Sequence, residues 1–234
     1  MSKIVNYSMA NRGEIARFLP GQDLTADDIR LLDKMRAAAR ARQDDLDHQD
    51  VDWGLPIQDA LEQLVSGRAD STAEWAGNAY YTALQIVIDH NGSDMSTLAS
   101  YRSPITVFTT LDDQLSAAGV AADLLPSQYI FSGPPSEIAF HIPPPAEGSP
   151  EIGGWPMQQA GPATKAYREV LDRIEPGLKY ELKELMQLRQ GRCRRSTRLS
   201  PGVTIHRRPR LSAAIRLRCH AVRHSLGTQT ARTG

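Results

Sequence analysis

Apolar positions recur at helical spacing along most of the first 190 residues. The clearest run opens at Thr25, whose hydroxyl suits a helix N-cap, with Asp27 and Asp28 near the positive end of the dipole. Ile29, Leu32, Met35, Ala39 and Leu46 follow on one face, which predicts an amphipathic helix to about Asp47. Pro56 suits the first turn of a second helix, whose face is Ile57, Ala60, Leu61, Leu64 and Val65 before Gly67 ends it. A third covers roughly Asn78 to His90. Its stretch Ala83-Leu84-Gln85-Ile86-Val87-Ile88 is apolar on nearly all sides, so it is expected to be the most buried helix. Pro104 to Ala118 reads as another, closed by Gly119, and Asn11 caps a short one ending near Phe18. Helical periodicity returns at about Pro162 with Ala166, Tyr167, Val170, Leu171 and Ile174, and again in Leu178, Leu182, Leu185 and Met186.

Period-two signals are sparser. Lys3 to Met9 predicts a strand, carried by Ile4, Val5 and Tyr7. Between Ala121 and Gln159 prolines and glycines crowd around two β-like runs, Tyr129-Ile130-Phe131 and Ile138 to Ile142. Proline fixes φ and lacks a donor N–H, so these are expected to be edge strands or extended loop. No internal repeat is visible. The predicted class is α+β: a mostly helical body with a small sheet of short strands and proline-rich loops.

Charge divides the chain in two. Residues 1–190 hold 16 Lys+Arg against 27 Asp+Glu, a charge of −11, whereas residues 191–234 hold 11 Arg and no Lys, Asp or Glu, a charge of +11. The zero net charge is therefore a cancellation. The expected organisation is one α+β domain over 1–190 and an Arg-rich, disordered or poorly ordered tail over 191–234. Eleven arginines without a lysine, among Ala, Pro and Gly, are what out-of-frame reading of a GC-rich gene yields, and this favours a frameshift or mis-called gene end over a functional tail. Leu211 to Val222 contains enough Ala, Ile, Leu and Val to form a helix if something packs on it. As a nucleic-acid arm, the segment would meet phosphates through Arg194, Arg195, Arg207 and Arg208. It has no aromatic residue to stack on bases, so a nucleic-acid partner is expected only if the tail is genuine.

No apolar stretch reaches the ~18 residues of a membrane helix, and no basic-then-apolar leader opens the sequence. Both cysteines, Cys193 and Cys219, lie in the basic segment, so the body has neither disulfide nor thiolate chemistry; a soluble, cytoplasmic protein is expected. Cys193, His206, Cys219, His220 and His224 lack the paired short spacings of a zinc site. Dinucleotide, phosphate-loop and zinc-protease motifs are absent, so no metal and no cofactor is implied.

Three histidines remain in the body. His48 and His90 follow Asp47 and Asp89 at predicted helix C-termini, where an imidazole caps carbonyls. His141 lies between Phe140 and Ile142 on an expected edge strand. If chemistry exists, it would use His90 or His141 with Asp89 or Asp52 as the accepting carboxylate, a hydrolase arrangement. Ser132, in a tight glycine turn, does not have the strand-to-helix setting of a nucleophile elbow. Trp53, Trp75, Tyr80, Tyr81, Tyr101 and Trp155 would either line a groove or fill the core, with Trp155 in a glycine-rich loop as the recognition candidate. The leading expectation is a non-catalytic protein-binding module of accessory or immunity type, whose acidic body suits a basic partner.

Several blocks resemble an uncharacterised actinobacterial family described only as a domain of unknown function. They are Val51-Asp52-Trp53-Gly54-Leu55, Gly77-Asn78-Ala79-Tyr80-Tyr81 through Asn91, Phe131-Ser132-Gly133-Pro134-Pro135 through Pro143, Gly148 to Gly153, and Ala166-Tyr167-Arg168. The resemblance covers about residues 4–189, and a fainter one runs to the YfbM-like group of small bacterial α+β proteins. It implies no activity. It does imply an acidic, Trp-rich continuation and a closing strand after the last helix, from which this chain departs at about Gln190.

Overall fold

A computed structural model describes residues 2–19, 24–92, 96–146, 151–189 and 212–220. The chain enters through β1 (Ser2–Ala10) and a short helix α1 (Arg12–Arg17), which Asn11 caps by accepting the Gly13 N–H. Helix α2 (Ala26–Asp47) begins in a reciprocal capping box: the Thr25 hydroxyl accepts the Asp28 N–H and the Asp28 carboxylate accepts the Thr25 N–H. Helices α3 (Ile57–Val65) and α4 (Ala76–Asn91) follow, then β2 (Ser96–Tyr101) and α5 (Pro104–Ala117). A one-turn helix α6 (Ser127–Ile130), β3 (Ile152–Trp155), α7 (Ala160–Val170) and α8 (Lys179–Arg189) lead to β4 (Ser212–His220).

The four strands form one antiparallel sheet in the order β2-β1-β4-β3. β4 lies between β1 and β3, pairing along all of β1 from Ser2↔His220 to Ala10↔Ser212 and along β3 from Ile152↔Arg216 to Trp155↔Ala213. Two apolar clusters flank this sheet. Met35, Leu61, Tyr80 and Leu84 of α2–α4 build the first, with Ala10, Ile142 and Ile152. Phe108, Leu111, Tyr167, Leu182 and Leu185 of α5, α7 and α8 build the second, with Val5 and Trp155. β1 and β3 each contribute to both clusters, as strands covered on both faces must.

The α+β class holds, and the predicted helices form within a few residues of their expected ends. The β content is placed differently. Tyr129-Ile130-Phe131 closes α6 rather than a strand, because Pro126 starts a turn in which its carbonyl accepts the Ile130 N–H at 3.0 Å. Ile138 to Ile142 forms no strand; Ile142 is buried and Ile138 and Phe140 pack on the first cluster, so these residues are apolar for packing rather than for pairing. The glycine-rich Ile152–Trp155, expected to be a loop, is β3. In the basic segment, Ser212–His220 is a strand and not the helix its apolar residues suggested; Ile215-Arg216-Leu217-Arg218-Cys219-His220 alternates with period two. The disorder expected elsewhere in that segment concerns 190–211 and 221–234, which lie outside the described residues.

Candidate functional site

Side-chain bonds tie α2, α3 and α4 together. Arg36 of α2 forms a two-pronged ion pair with Glu62 of α3 (2.6 and 3.0 Å), and Gln43 accepts the Ile57 N–H at 3.0 Å. α2 and α3 are therefore antiparallel. Tyr80, early in α4, donates its hydroxyl to Gln63, late in α3, so these two helix ends meet.

Between α2 and α4 lies an open groove of about 300 Å³, lined by Ala38, Ala41, Arg42 and Asp45 of α2 and by Thr82, Gln85, Ile86, Asp89 and His90 of α4. The two alanines leave the space that larger side chains would fill. The floor is polar. Asn78, Thr82, Gln85 and Asp89 stand at i, i+4, i+7 and i+11, one face of α4, and the first three are buried. α4 is the most buried helix, as expected, and this polar stripe runs through and beyond its apolar stretch Ala83–Ile88.

Each group in the stripe has a distinct position. Asn78 accepts the Ala146 N–H at 2.9 Å and so ties the proline-rich segment to the N-terminal end of α4. Thr82 is 5 % exposed, and among the described residues nothing bonds its hydroxyl. His90 places Nδ1 2.8 Å from the Ile86 carbonyl oxygen. A carbonyl only accepts, so Nδ1 carries the proton and Nε2 of the neutral ring is an acceptor. Arg42 reaches Asp45 at 3.4 Å on the exposed rim, an ion pair of small net strength.

The groove gathers only part of the residues singled out in the sequence. Asp89 and His90 line it; Asp52 and His141 do not. Asp52 accepts the Gly54 N–H at 2.7 Å in the turn before α3. His141 is exposed, just before Pro143-Pro144, which crosses the other end of α4: a methyl group at Gly77 would lie 2.0 Å from the Pro144 carbonyl oxygen. From Gly77 to His90 is about 20 Å of helix axis. Capping accounts for both helix-terminal histidines, since His48 Nδ1 likewise sits 2.5 Å from the Asp44 carbonyl oxygen.

The aromatic set divides between the two clusters rather than lining one groove. Trp53, Tyr80 and Tyr81 belong to the first, Tyr101 and Trp155 to the second, and Trp75 is exposed. Trp155 is 1 % exposed and stacks on Tyr129 at 4.5 Å between centroids, which makes it a core residue rather than a recognition loop. Burial, with the Glu151 charge nearby, pushes the Tyr81 phenol above its ordinary range. Ser132 accepts the Gly154 N–H and donates to the Tyr129 carbonyl, each at 3.1 Å, and so guards the outer edge of β3. Arg194, Arg195, Arg207 and Arg208 lie outside the described residues.

The sequence could have disclosed Thr82 and Gln85 through the stripe spacing alone. Arg42 and Asp45 carry no such signal, because α2 is charged along its whole solvent side.

A family model described as "Domain of unknown function (DUF7691)" matches residues 1–201. The chain belongs to the DUF7691 family. That match runs through every DUF7691 element from β1 to α8, groove included, and ends before β4. Neither a curated protein nor a solved structure matches the chain. No helix among the described residues is long and apolar enough to cross a membrane, and none of their His, Cys, Asp and Glu side chains form a group of three or more able to hold a metal ion.

Proposed function

We propose that this DUF7691 protein is a non-catalytic binding module, of accessory or immunity type, that recognises a basic protein partner in the cytoplasm. The observation that carries the reading is the charge of −11 over residues 1–190, displayed on helices rather than gathered around a reactive centre. α2 alternates six acids with Arg30, Lys34, Arg36, Arg40 and Arg42, three of which pair with Asp27, Asp33 and Asp45, and its exposed Asp44 and Asp47 follow the last of these bases. The net acidic charge of the body as a whole steers and selects basic partners and makes their association salt-dependent. The groove that holds Asp89 and His90 is not lined by His141 or Asp52, so it brings together only part of the hydrolase set. The resemblance of the blocks from Val51 to Arg168 is what supports placing the chain among actinobacterial members, with a remote likeness to the YfbM-like group.

The test is association of the full chain with a decalysine peptide and a decaaspartate peptide at low and high salt. Decalysine is expected to bind at low salt and to dissociate near 1 M, where the Debye length falls to about 3 Å. Equal binding of the acidic peptide overturns the reading. So does turnover of a chromogenic ester that His90→Ala abolishes.

A further inference from the structure

We propose that the slot between β1 and β3, which β4 fills in this chain, is a docking site for an extended strand of a partner protein, apolar at the two places where β4 carries Arg216 and Arg218. Such docking works by strand pairing and is independent of the acidic surface.

The walls of the slot are held from outside it. β1 pairs with β2 from Lys3↔Tyr101 to Tyr7↔Ser96, and it gives Ala10 and Val5 to the two apolar clusters. β3 is tied on its far side. The Gly133 N–H donates to the Ile152 carbonyl at 2.9 Å, and the Gly154 N–H and carbonyl meet Ser132 and Arg12 at 3.1 and 3.2 Å. None of these bonds involves β4. The family match over residues 1–201 likewise contains both walls and not the strand between them. Backbone groups of β1 and β3 that face the slot need a strand there, but ladder bonds do not select its sequence.

Side-chain chemistry selects it, and β4 suits one face of the slot better than the other. Residues directly opposite each other in an antiparallel pair share a face of the sheet. Ala213, Ile215 and Leu217 stand opposite Met9, Tyr7 and Val5, on the face of the second cluster. On the other face, Arg216 stands between Asn6 of β1 and Ile152 of β3, which are 3 % and 2 % exposed, and Arg218 stands opposite half-buried Ile4. Position 216 therefore lies in a buried row, where an arginine needs a carboxylate. The two buried carboxylates among the described residues are already engaged, Asp28 by Arg17 and Thr25 and Asp112 by Ser127. A branched aliphatic residue at both places fills the face without a charge to neutralise. A second copy of this chain brings the same arginines, so the fitting occupant is a strand of a different protein.

Two measurements on the full chain test this. Arg216→Val and Arg218→Val, made together, should raise the thermal midpoint by at least about 2–4 °C, the response of a chain of this size to a modest gain in stability. In the second, the Ile215→Pro chain, which lacks one N–H of β4, is melted with an excess of a peptide. One peptide spans residues 212–220 with Arg216→Val, Arg218→Val and Cys219→Ser; another keeps both arginines; a third has the apolar sequence scrambled. The apolar peptide should raise the midpoint and slow amide exchange at Val5 to Met9 more than the arginine peptide does, and the scrambled one should do neither. A midpoint that the double substitution lowers or leaves unmoved overturns the proposal, since the arginines are then already accommodated. Equal effects of the apolar and arginine peptides, or no effect of either, overturn it as well.

Discussion

Arg17, the last residue of α1, meets the Asp28 carboxylate of α2 at 2.6 Å, while the second carboxylate oxygen of Asp28 accepts the Thr25 hydroxyl and N–H at 2.7 and 3.0 Å. One buried carboxylate thus starts the longest helix and pins α1 to it. The bonds from Thr25, helped by the Arg17 charge, hold the Asp28 carboxyl below its ordinary value against the opposing effect of burial.

A lowered carboxyl pKa stabilises the fold above the unfolded value, about 3.9, and that contribution is lost as pH falls through and below it. Asp28→Asn is therefore expected to be less stable than the parent at neutral pH, with the gap closing on acidification. Denaturant melts at pH 7 and pH 3 check this; a gap that does not change with pH contradicts it. Thr25→Ala, which removes the reciprocal cap, should cost about 1 kcal/mol at neutral pH.

Asp112 of α5 runs the other way. It is buried and accepts the N–H and hydroxyl of Ser127, anchoring α6. Burial raises its carboxyl pKa, and the Ser127 bonds offset that only in part. The associated stability is full below the unfolded value and is lost as pH rises from about 3.9 to the raised value. Relative to Asp112→Asn, the parent should therefore gain stability on acidification, opposite to the Asp28 pair. The same two melts, run on both variants, decide it.

Local rules made the helices legible and left three of the four strands hidden. Thr25, Asn11 and Pro104 act within one or two turns of chain, and the structure uses each of them. β2 (Ser96–Tyr101) is small and polar, with Leu98 and Tyr101 buried, and pairs because β1 lies beside it. β3 reads as loop because two of its four residues are glycine. Those glycines answer a tertiary demand instead: the backbone at Gly153 passes against the Tyr129 and Ile130 carbonyls. The site shows the same division. The Asp89–His90 pair was visible in the chain, whereas its neighbours Arg42 and Asp45 come from a helix some forty residues earlier.

Glycine substitutions separate close approach from mere propensity. A methyl group at Gly153 would stand 2.0 Å from the Tyr129 carbonyl oxygen and 2.2 Å from that of Ile130, and backbone on both sides cannot give way cheaply. Gly153→Ala should destabilise by about 1–3 kcal/mol or more, the scale of overpacking. Gly177, in the exposed turn before α8, has nothing within 4 Å of a methyl group and no positive φ. There Gly177→Ala should stabilise by about 0.4–1 kcal/mol by restricting the unfolded chain. Opposite shifts in thermal midpoint are the expected result, and shifts of the same sign contradict the packing at β3.

The placement of β4 makes the sharpest demand on the basic segment. Ile215 stands opposite Tyr7 of β1 on one side and Gly153 of β3 on the other. Whichever way its N–H points, it points toward a paired strand. Ile215→Pro deletes that donor and leaves an acceptor in β1 or β3 without its bond, a loss of about 1–3 kcal/mol before any strain from the ring. Amide exchange at Val5 to Met9 should quicken, while α4, held by its own ladder and the first apolar cluster, should keep its protection longer. If residues 191–234 are instead an out-of-frame appendage with no part in the fold, Ile215→Pro leaves both the melting temperature and exchange in β1 unchanged. The same substitution therefore discriminates a sheet completed from within this chain from one whose middle strand is supplied by nothing after α8.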